Sequence, residues 1–203
     1  MTRRLAQLFA GLVLYGFSIA VMLEAGLGLE PWGVLNEGVT EQTPLSFGLV
    51  VCLIGALVLL LWIPLKQKPG IGTVANVIVI GLAVDAAAPI VPDIEGDPLR
   101  ALFLGLGIFL NGLAGGLYIG AGLGPGPRDG LMTGIARRTG WPLRRVRTGI
   151  ELTVLAVGWL LGGTVGVGTV LYALAIGPLV QFFLPRLALP PMALKTPALA
   201  PAE

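Results

Sequence analysis

The sequence predicts an all-α membrane protein of six transmembrane helices, built as a three-plus-three inverted repeat with two short helices that are re-entrant or interfacial. Three observations predict it. Apolar stretches of about 20 residues recur along the chain, each long enough to cross a bilayer. The chain matches itself at an offset of 96 residues. Its basic residues fall in alternate connecting segments.

The first observation excludes most soluble classes. Hydrophobic residues make up 55% and charged residues 12%, against about 45–50% and about 25% in soluble domains. The charges cluster between apolar runs instead of lining every helix. A β-barrel would need alternating strands of about 10 residues, which are absent. One cysteine, Cys52, leaves no internal disulfide, and there is no histidine for a zinc site or an imidazole relay. No cofactor, metal or nucleotide motif is present, and no nucleophile–base constellation marks an enzyme.

The second observation is the repeat. From Gly11/Gly107 to Pro89/Pro185 the offset runs without a gap, and 24 of 79 paired positions are identical. Shared apolar composition would match Leu on Leu. Here Gly70-Ile71-Gly72-Thr73-Val74 meets Gly166-Val167-Gly168-Thr169-Val170, and Gly16 meets Gly112. Each unit carries three spans, and an odd number turns the second copy upside down in the membrane.

The third observation tests the second. Basic residues prefer the cytoplasmic side. With the N-terminus inside, the inner segments are Met1–Arg4, Leu65–Pro69, Gly122–Arg147 and Arg186 onward. They hold every Lys and Arg except Arg100. The outer segments, Gly26–Pro44, Val91–Pro98 and Gly162–Gly168, contain only acidic ionisable residues.

The elements follow in order. Helix 1 runs from Leu5 to about Leu23 and exceeds the 7–15 apolar residues of a signal peptide. A Gly-Pro loop, Gly26 to Pro44, can start a short helix at Pro31, and Trp32 suits the headgroup level. Helix 2 spans about Leu45–Ile63 and helix 3 about Gly72–Ile90. After an acidic linker, helix 4 spans about Leu99–Ala121. The second Gly-Pro loop, Gly122 to Gly134, precedes an Arg-rich stretch. Helix 5 runs from Leu143 or Val146 to Leu161, and helix 6 from about Val170 to Leu184. One membrane domain therefore covers residues 1–185, with repeats at about 5–91 and 99–185. The Pro/Ala-rich tail, 187–203, reads as a disordered cytoplasmic segment.

Candidate site residues follow from cost. Broken backbone at membrane depth is tolerated only inside protein or along a wet cavity, so both Gly-Pro loops are candidates. Helix starts after Pro31 and Pro127 would present unpaired N–H groups. Arg128 and Asp129 either contact a substrate or pair with other loop charges. Glu151 lies inside helix 5 with Arg147 one turn earlier, on the same face. The pair either touches substrate or fixes packing. Asp85, Asn36, Asn76 and Tyr172 are polar positions in or beside apolar helices, and Asn76 and Tyr172 are repeat partners. Asn111, Tyr118 and Gln181 are similar. Such groups either face a transported species or bond neighbouring helices.

The run Gly124-Pro125-Gly126-Pro127-Arg128-Asp129-Gly130-Leu131-Met132 resembles the YczE-like bacterial membrane proteins, a group that includes the YyaS type. The resemblance extends through Arg147-Thr148-Gly149-Ile150-Glu151, Gly162 to Thr169, Ile176-Gly177-Pro178-Leu179 and Gly70 to Asn76. It covers about Arg4 to Pro185. It implies a multi-pass protein of the bacterial cytoplasmic membrane, and both termini are expected inside.

The function expected from the repeat is a small-molecule transporter working by alternating access, and the family resemblance implies an exporter. A passive channel, or an accessory protein docking a partner through Arg137 to Arg147, are the alternatives. The expected partners are the lipid bilayer and a small molecule, with no nucleic acid; a homo-oligomer is compatible with the sequence.

Overall fold

A computed structural model describes residues 1–190. The described residues form eight helices and no strand: α1 (Thr2–Ala25), α2 (Pro31–Glu41), α3 (Phe47–Trp62), α4 (Ile71–Ala87), α5 (Asp97–Gly120), α6 (Pro127–Thr139), α7 (Leu143–Leu160) and α8 (Val167–Leu187). Three of them, α1, α5 and α8, are long and apolar enough to cross a membrane, and α3 and α4 are shorter apolar helices. The helices α2, α3 and α4 begin at residues 31, 47 and 71, and α6, α7 and α8 begin at 127, 143 and 167, each 96 residues later.

The helix starts differ slightly from the sequence reading. Helix α5 begins at Asp97 because Pro98, with no N–H to leave unpaired, occupies the first turn. Helix α8 begins at Val167 rather than Val170. The Thr169 hydroxyl accepts the Gly166 N–H at 3.3 Å and caps the start. Thr73 does the same for Gly70 at 3.1 Å.

Both Gly-Pro loops fold alike. Gly26 and Gly122 have φ of 64° and 66°, and Gly28 and Gly124 have φ of 104° and 127°. Only glycine adopts these values without strain. The residues preceding the prolines, Glu30 and Gly126, have φ/ψ of −62°/158° and −61°/157°. Each loop then latches onto the opposite half. The Gly72 N–H donates to Leu123 O at 2.9 Å, and the Gly168 N–H donates to Leu27 O at 2.8 Å.

Helices α1 and α5 form the central antiparallel pair. Arg4 near the start of α1 donates to Ala121 O beyond the end of α5 at 2.7 Å, and Asn111 donates to Ser18 Oγ at 2.9 Å. Small residues bring further helices close. Gly16 lies against Ile80–Val84 of α4, and its partner Gly112 lies against Leu179 of α8. The core around this pair includes Leu8, Leu12, Ile19, Val84, Leu104 and Ala121.

Helices α2 and α6 have 11 and 13 residues. At 1.5 Å per residue they reach about half of a 30 Å hydrocarbon layer. Helix α2 packs against α7 and α3, and α6 against α3 and α7. Trp32, Gly33, Val34, Asn36 and Gly38 of α2 are buried. Trp32 is enclosed by protein, packed against Val58 of α3 and Leu131 of α6.

The first residues of the expected tail, 187–190, are ordered and packed. The Leu189 N–H donates to Gly120 O at 2.9 Å, and Gln7 donates to Leu187 O at 2.9 Å, so residues 187–190 pack on the central pair. Residues 191–203 lie outside the described residues.

Candidate functional site

Two half-length helices begin at the same place. The start of α2 brings Glu30 and Trp32, and the start of α6 brings Arg128 and Asp129. The Arg128 guanidinium lies 4.9 Å over the Trp32 ring and 3.6 Å from Glu30 Oε1. The α6 start is held by Trp62, whose indole donates to Pro127 O at 3.0 Å. Gly130 lets this happen, since a Cβ there would overlap the Trp62 ring.

These groups line a cavity of about 340 Å³, a volume typical of small-molecule sites. Tyr15, Asn111, Tyr118 and Tyr172 come from α1, α5 and α8; Asn36 and Asn76 from α2 and α4; Arg147 and Glu151 from α7. The chain has three tyrosines, and all three line this space. Val51, Ile54, Val58, Val77, Ile176 and Val180 supply apolar wall.

The polar lining is partly interlocked. Tyr172 donates to Asn111 Oδ1 at 2.9 Å, and Asn111 donates onward to Ser18. The Tyr118 hydroxyl donates to Asp129 Oδ2 at 3.3 Å, and the Tyr15 and Tyr118 rings meet edge to face at 6.0 Å. Glu30 differs. Its side chain is 3% exposed, and neither carboxylate oxygen has a hydrogen-bond donor among the described residues. The 3.6 Å approach of Arg128 is an ion pair longer than a charge-assisted hydrogen bond. The buried Asn36 Oδ1 also lacks a donor.

The cavity is closed on one flank and open on another. Helices α3 and α4 pack tightly: a Cβ on Gly81 would overlap the Gly48 carbonyl oxygen and the Cys52 sulfur. Asp85 completes this seam by accepting from Ser46 Oγ at 2.6 Å and from the Gly48 N–H at 2.7 Å. The equivalent pair, α7 and α8, does not pack along its length. Gly177, the counterpart of Gly81, would have nothing within 4 Å of a Cβ. Arg147 on α7 and Gly177 and Gln181 on α8 line the cavity and are exposed.

Residues 2–185 match the model of a family of unknown function, DUF6198. The chain belongs to this family. An uncharacterized protein of Haemophilus influenzae is 41% identical over 182 residues, covering 90% of this chain and 84% of that one. The uncharacterized membrane protein YczE of Bacillus subtilis is 36% identical over 180 residues, covering 88% and 84%. The uncharacterized protein YyaS of the same organism is 23% identical over 179 residues, covering 86% and 89%. No solved structure matches. The family and the apolar helices together make the chain a membrane protein.

For this family member, ten of the eleven residues singled out in the sequence line one cavity: Asn36, Asn76, Asn111, Tyr118, Arg128, Asp129, Arg147, Glu151, Tyr172 and Gln181. The remaining one, Asp85, lies in the α3–α4 seam instead and caps the start of α3. Arg147 and Glu151 pair with each other at 2.8 Å, as their spacing predicts. Sequence reasoning passed over Tyr15 and gave Glu30 no role. Tyr15 had a signal: its repeat partner is Asn111, and both face the cavity. Glu30 had none, because its partner is Gly126 and its burial depends on the opposing loop.

Proposed function

We propose that this protein transports a small molecule across the bacterial cytoplasmic membrane, exporting it by alternating access around the cavity at the α2–α6 junction. In this reading six helices span the bilayer with both termini inside. Helices α2 and α6 are re-entrant, and the two units are inverted copies. The observation that carries it is the cavity itself: both copies contribute polar groups at the point where the two broken-helix starts meet. Inverted repeats with discontinuous helices flanking a central site are a transporter plan. Such groups are costly at membrane depth and by default functional.

The test is flux in proteoliposomes across a panel of small organic solutes, driven by proton or sodium gradients. Saturable, gradient-coupled flux is expected, and Glu151→Gln and Asp129→Asn are expected to reduce it at least tenfold. Unchanged flux in both variants would remove the site assignment. Non-saturable flux would favour a passive channel.

A second reading has its own observation. Arg137, Arg138, Arg144 and Arg145 are exposed around the α6–α7 turn, a basic surface suited to a protein partner or anionic headgroups. A fixed partner recovered with the protein, together with no flux of any solute, would favour an accessory role.

A further inference from the structure

The cavity has two further features: the carboxylate of Glu30, without a hydrogen-bond donor among the described residues, and the gap between α7 and α8. Together they specify a ligand.

Buried polar groups need hydrogen-bond partners, and a buried carboxylate needs a compensating cation. Glu30 has half of this. Arg128 supplies charge at 3.6 Å, but both oxygens lack a donor. The orphan Asn36 oxygen adds a third acceptor on the same wall, against one orphan donor, the Trp32 indole. Beside Glu30 the cavity thus has more buried acceptors without a donor than buried donors without an acceptor, among the described residues. Its aromatic lining points the same way. Tyr15, Tyr118, Tyr172 and Trp32 line the space, and aromatic rings attract cations. Arg128 over Trp32 shows the protein's own cation using that attraction.

The gap defines the rest of the molecule. In the α3–α4 seam, α3 offers Gly48, Cys52 and Gly55 to α4, spaced so that they share a face. Their counterparts on α7 are Arg144, Thr148 and Glu151. Bulky and charged groups replace small ones, so α8 cannot close on α7. The opening is flanked by exposed apolar side chains, Leu152, Leu160, Leu171 and Leu174, which would face lipid. Inside it, Ile176 and Val180 lead towards the polar end.

We propose that the cavity takes an amphipathic organic amine, which enters sideways from the bilayer between α7 and α8 and sets its ammonium on Glu30. The apolar body lies along the α8 wall, and the ammonium competes with Arg128 for the carboxylate. This deepens the transport reading by naming its substrate class.

The test uses the full chain in phosphatidylcholine nanodiscs tethered for surface plasmon resonance, with empty discs subtracted. The probes are octylamine, octanoate, octanol and methylamine. Octylamine is expected to bind saturably and at least tenfold more tightly than the other three. Glu30→Gln is expected to weaken octylamine at least tenfold, while Glu30→Asp retains part of the affinity. Gly177→Trp is expected to slow association and dissociation of octylamine at least fivefold each.

Octanoate or octanol binding as tightly as octylamine would overturn the amine site, as would an unchanged affinity in Glu30→Gln. If that variant does not fold, the octylamine-to-octanoate ratio on the native chain decides. Unchanged rates in Gly177→Trp would overturn the lateral route. So would a shift in oligomeric state, which would assign the gap to a second copy of the chain. Binding needs no flux, so the two proposals fail separately. Selective octylamine binding without flux would sink transport and keep the amine site. Coupled flux of another solute without octylamine selectivity would do the reverse.

Discussion

The α3–α4 seam and the α7–α8 gap occupy equivalent places in the two halves, yet one is packed and the other is open. Helix α3, held between α4, α2 and α6, buries Phe47, Gly48, Val50, Val51, Val58 and Trp62. The corresponding helix α7 buries only Val146 and Gly158. The backbone plan is shared, down to the loop dihedrals and the threonine-capped starts of α4 and α8. What differs is side-chain size along one face. Two units that share one backbone plan can therefore differ through a few substitutions: one flank packed, the other open. Membrane helices associate through close van der Waals packing more than through water exclusion, so Arg144, Thr148 and Glu151 in place of Gly48, Cys52 and Gly55 oppose the close approach of α8.

The sharpest way to break this comparison is to put the same side chain on both sides. Gly81→Leu drives a side chain into the Gly48 backbone and should abolish recovery of monodisperse protein, or lower its melting temperature by more than 10 °C. Overpacking of this kind costs about 1–3 kcal/mol or more. Gly177→Leu should leave the melting temperature within about 2 °C, because its Cβ meets nothing within 4 Å. Equal effects would mean that the gap is not a gap in the membrane.

A smaller effect tests the caps. Thr73→Val and Thr169→Val each remove a helix-start acceptor worth about 1 kcal/mol. Thr73 also donates to Pro125 O at 2.7 Å, so Thr73→Val should be the more destabilising by about 1 kcal/mol. Denaturant titration in detergent reads both, and the reverse order would remove the special role given to that contact. Asp85→Asn keeps one acceptor oxygen and turns the other into a donor amide, so it loses one of the two contacts at the start of α3 and should cost about 1 kcal/mol, while leaving flux unchanged. A flux defect without destabilisation would return Asp85 to the site.

The smallest effect is expected at the edge of the gap. Arg147 and Glu151 form an i,i+4 pair with side chains 59% and 33% exposed. Arg147→Ala should change stability by less than about 0.5 kcal/mol. Spin labels at Ala56 and Ile78, with Cys52 replaced, should give a narrow distance distribution. Labels at the equivalent Leu152 and Leu174 should give a broad one that tightens with octylamine.

Much of this was legible in the residues. Apolar length and breaker residues placed every helix, because those signals are local. The two Pro starts and the glycines at positive φ declared themselves through the repeat. Ten cavity-lining residues could be found because a polar group in or beside an apolar helix is costly and stands out. Asp85 stands out for the same reason, but its cost is met by Ser46 and the Gly48 N–H, which no spacing rule reveals. Glu30 was hidden for the opposite reason. It sits among other loop acids, and only the approach of Arg128 and Trp32 turns it into a buried group. The α7–α8 gap was also unreadable, since separation depends on which faces meet in three dimensions.

The crossed latches between loops and helix starts bear on how the chain is made. The first turn of α4 is tied to Leu123, and the first turn of α8 is tied to Leu27. Synthesis proceeds from the N-terminus, so α4 stays unfastened until some fifty further residues have emerged from the ribosome. The first unit is therefore an open clasp during insertion, and it is the arrival of the second that shuts both.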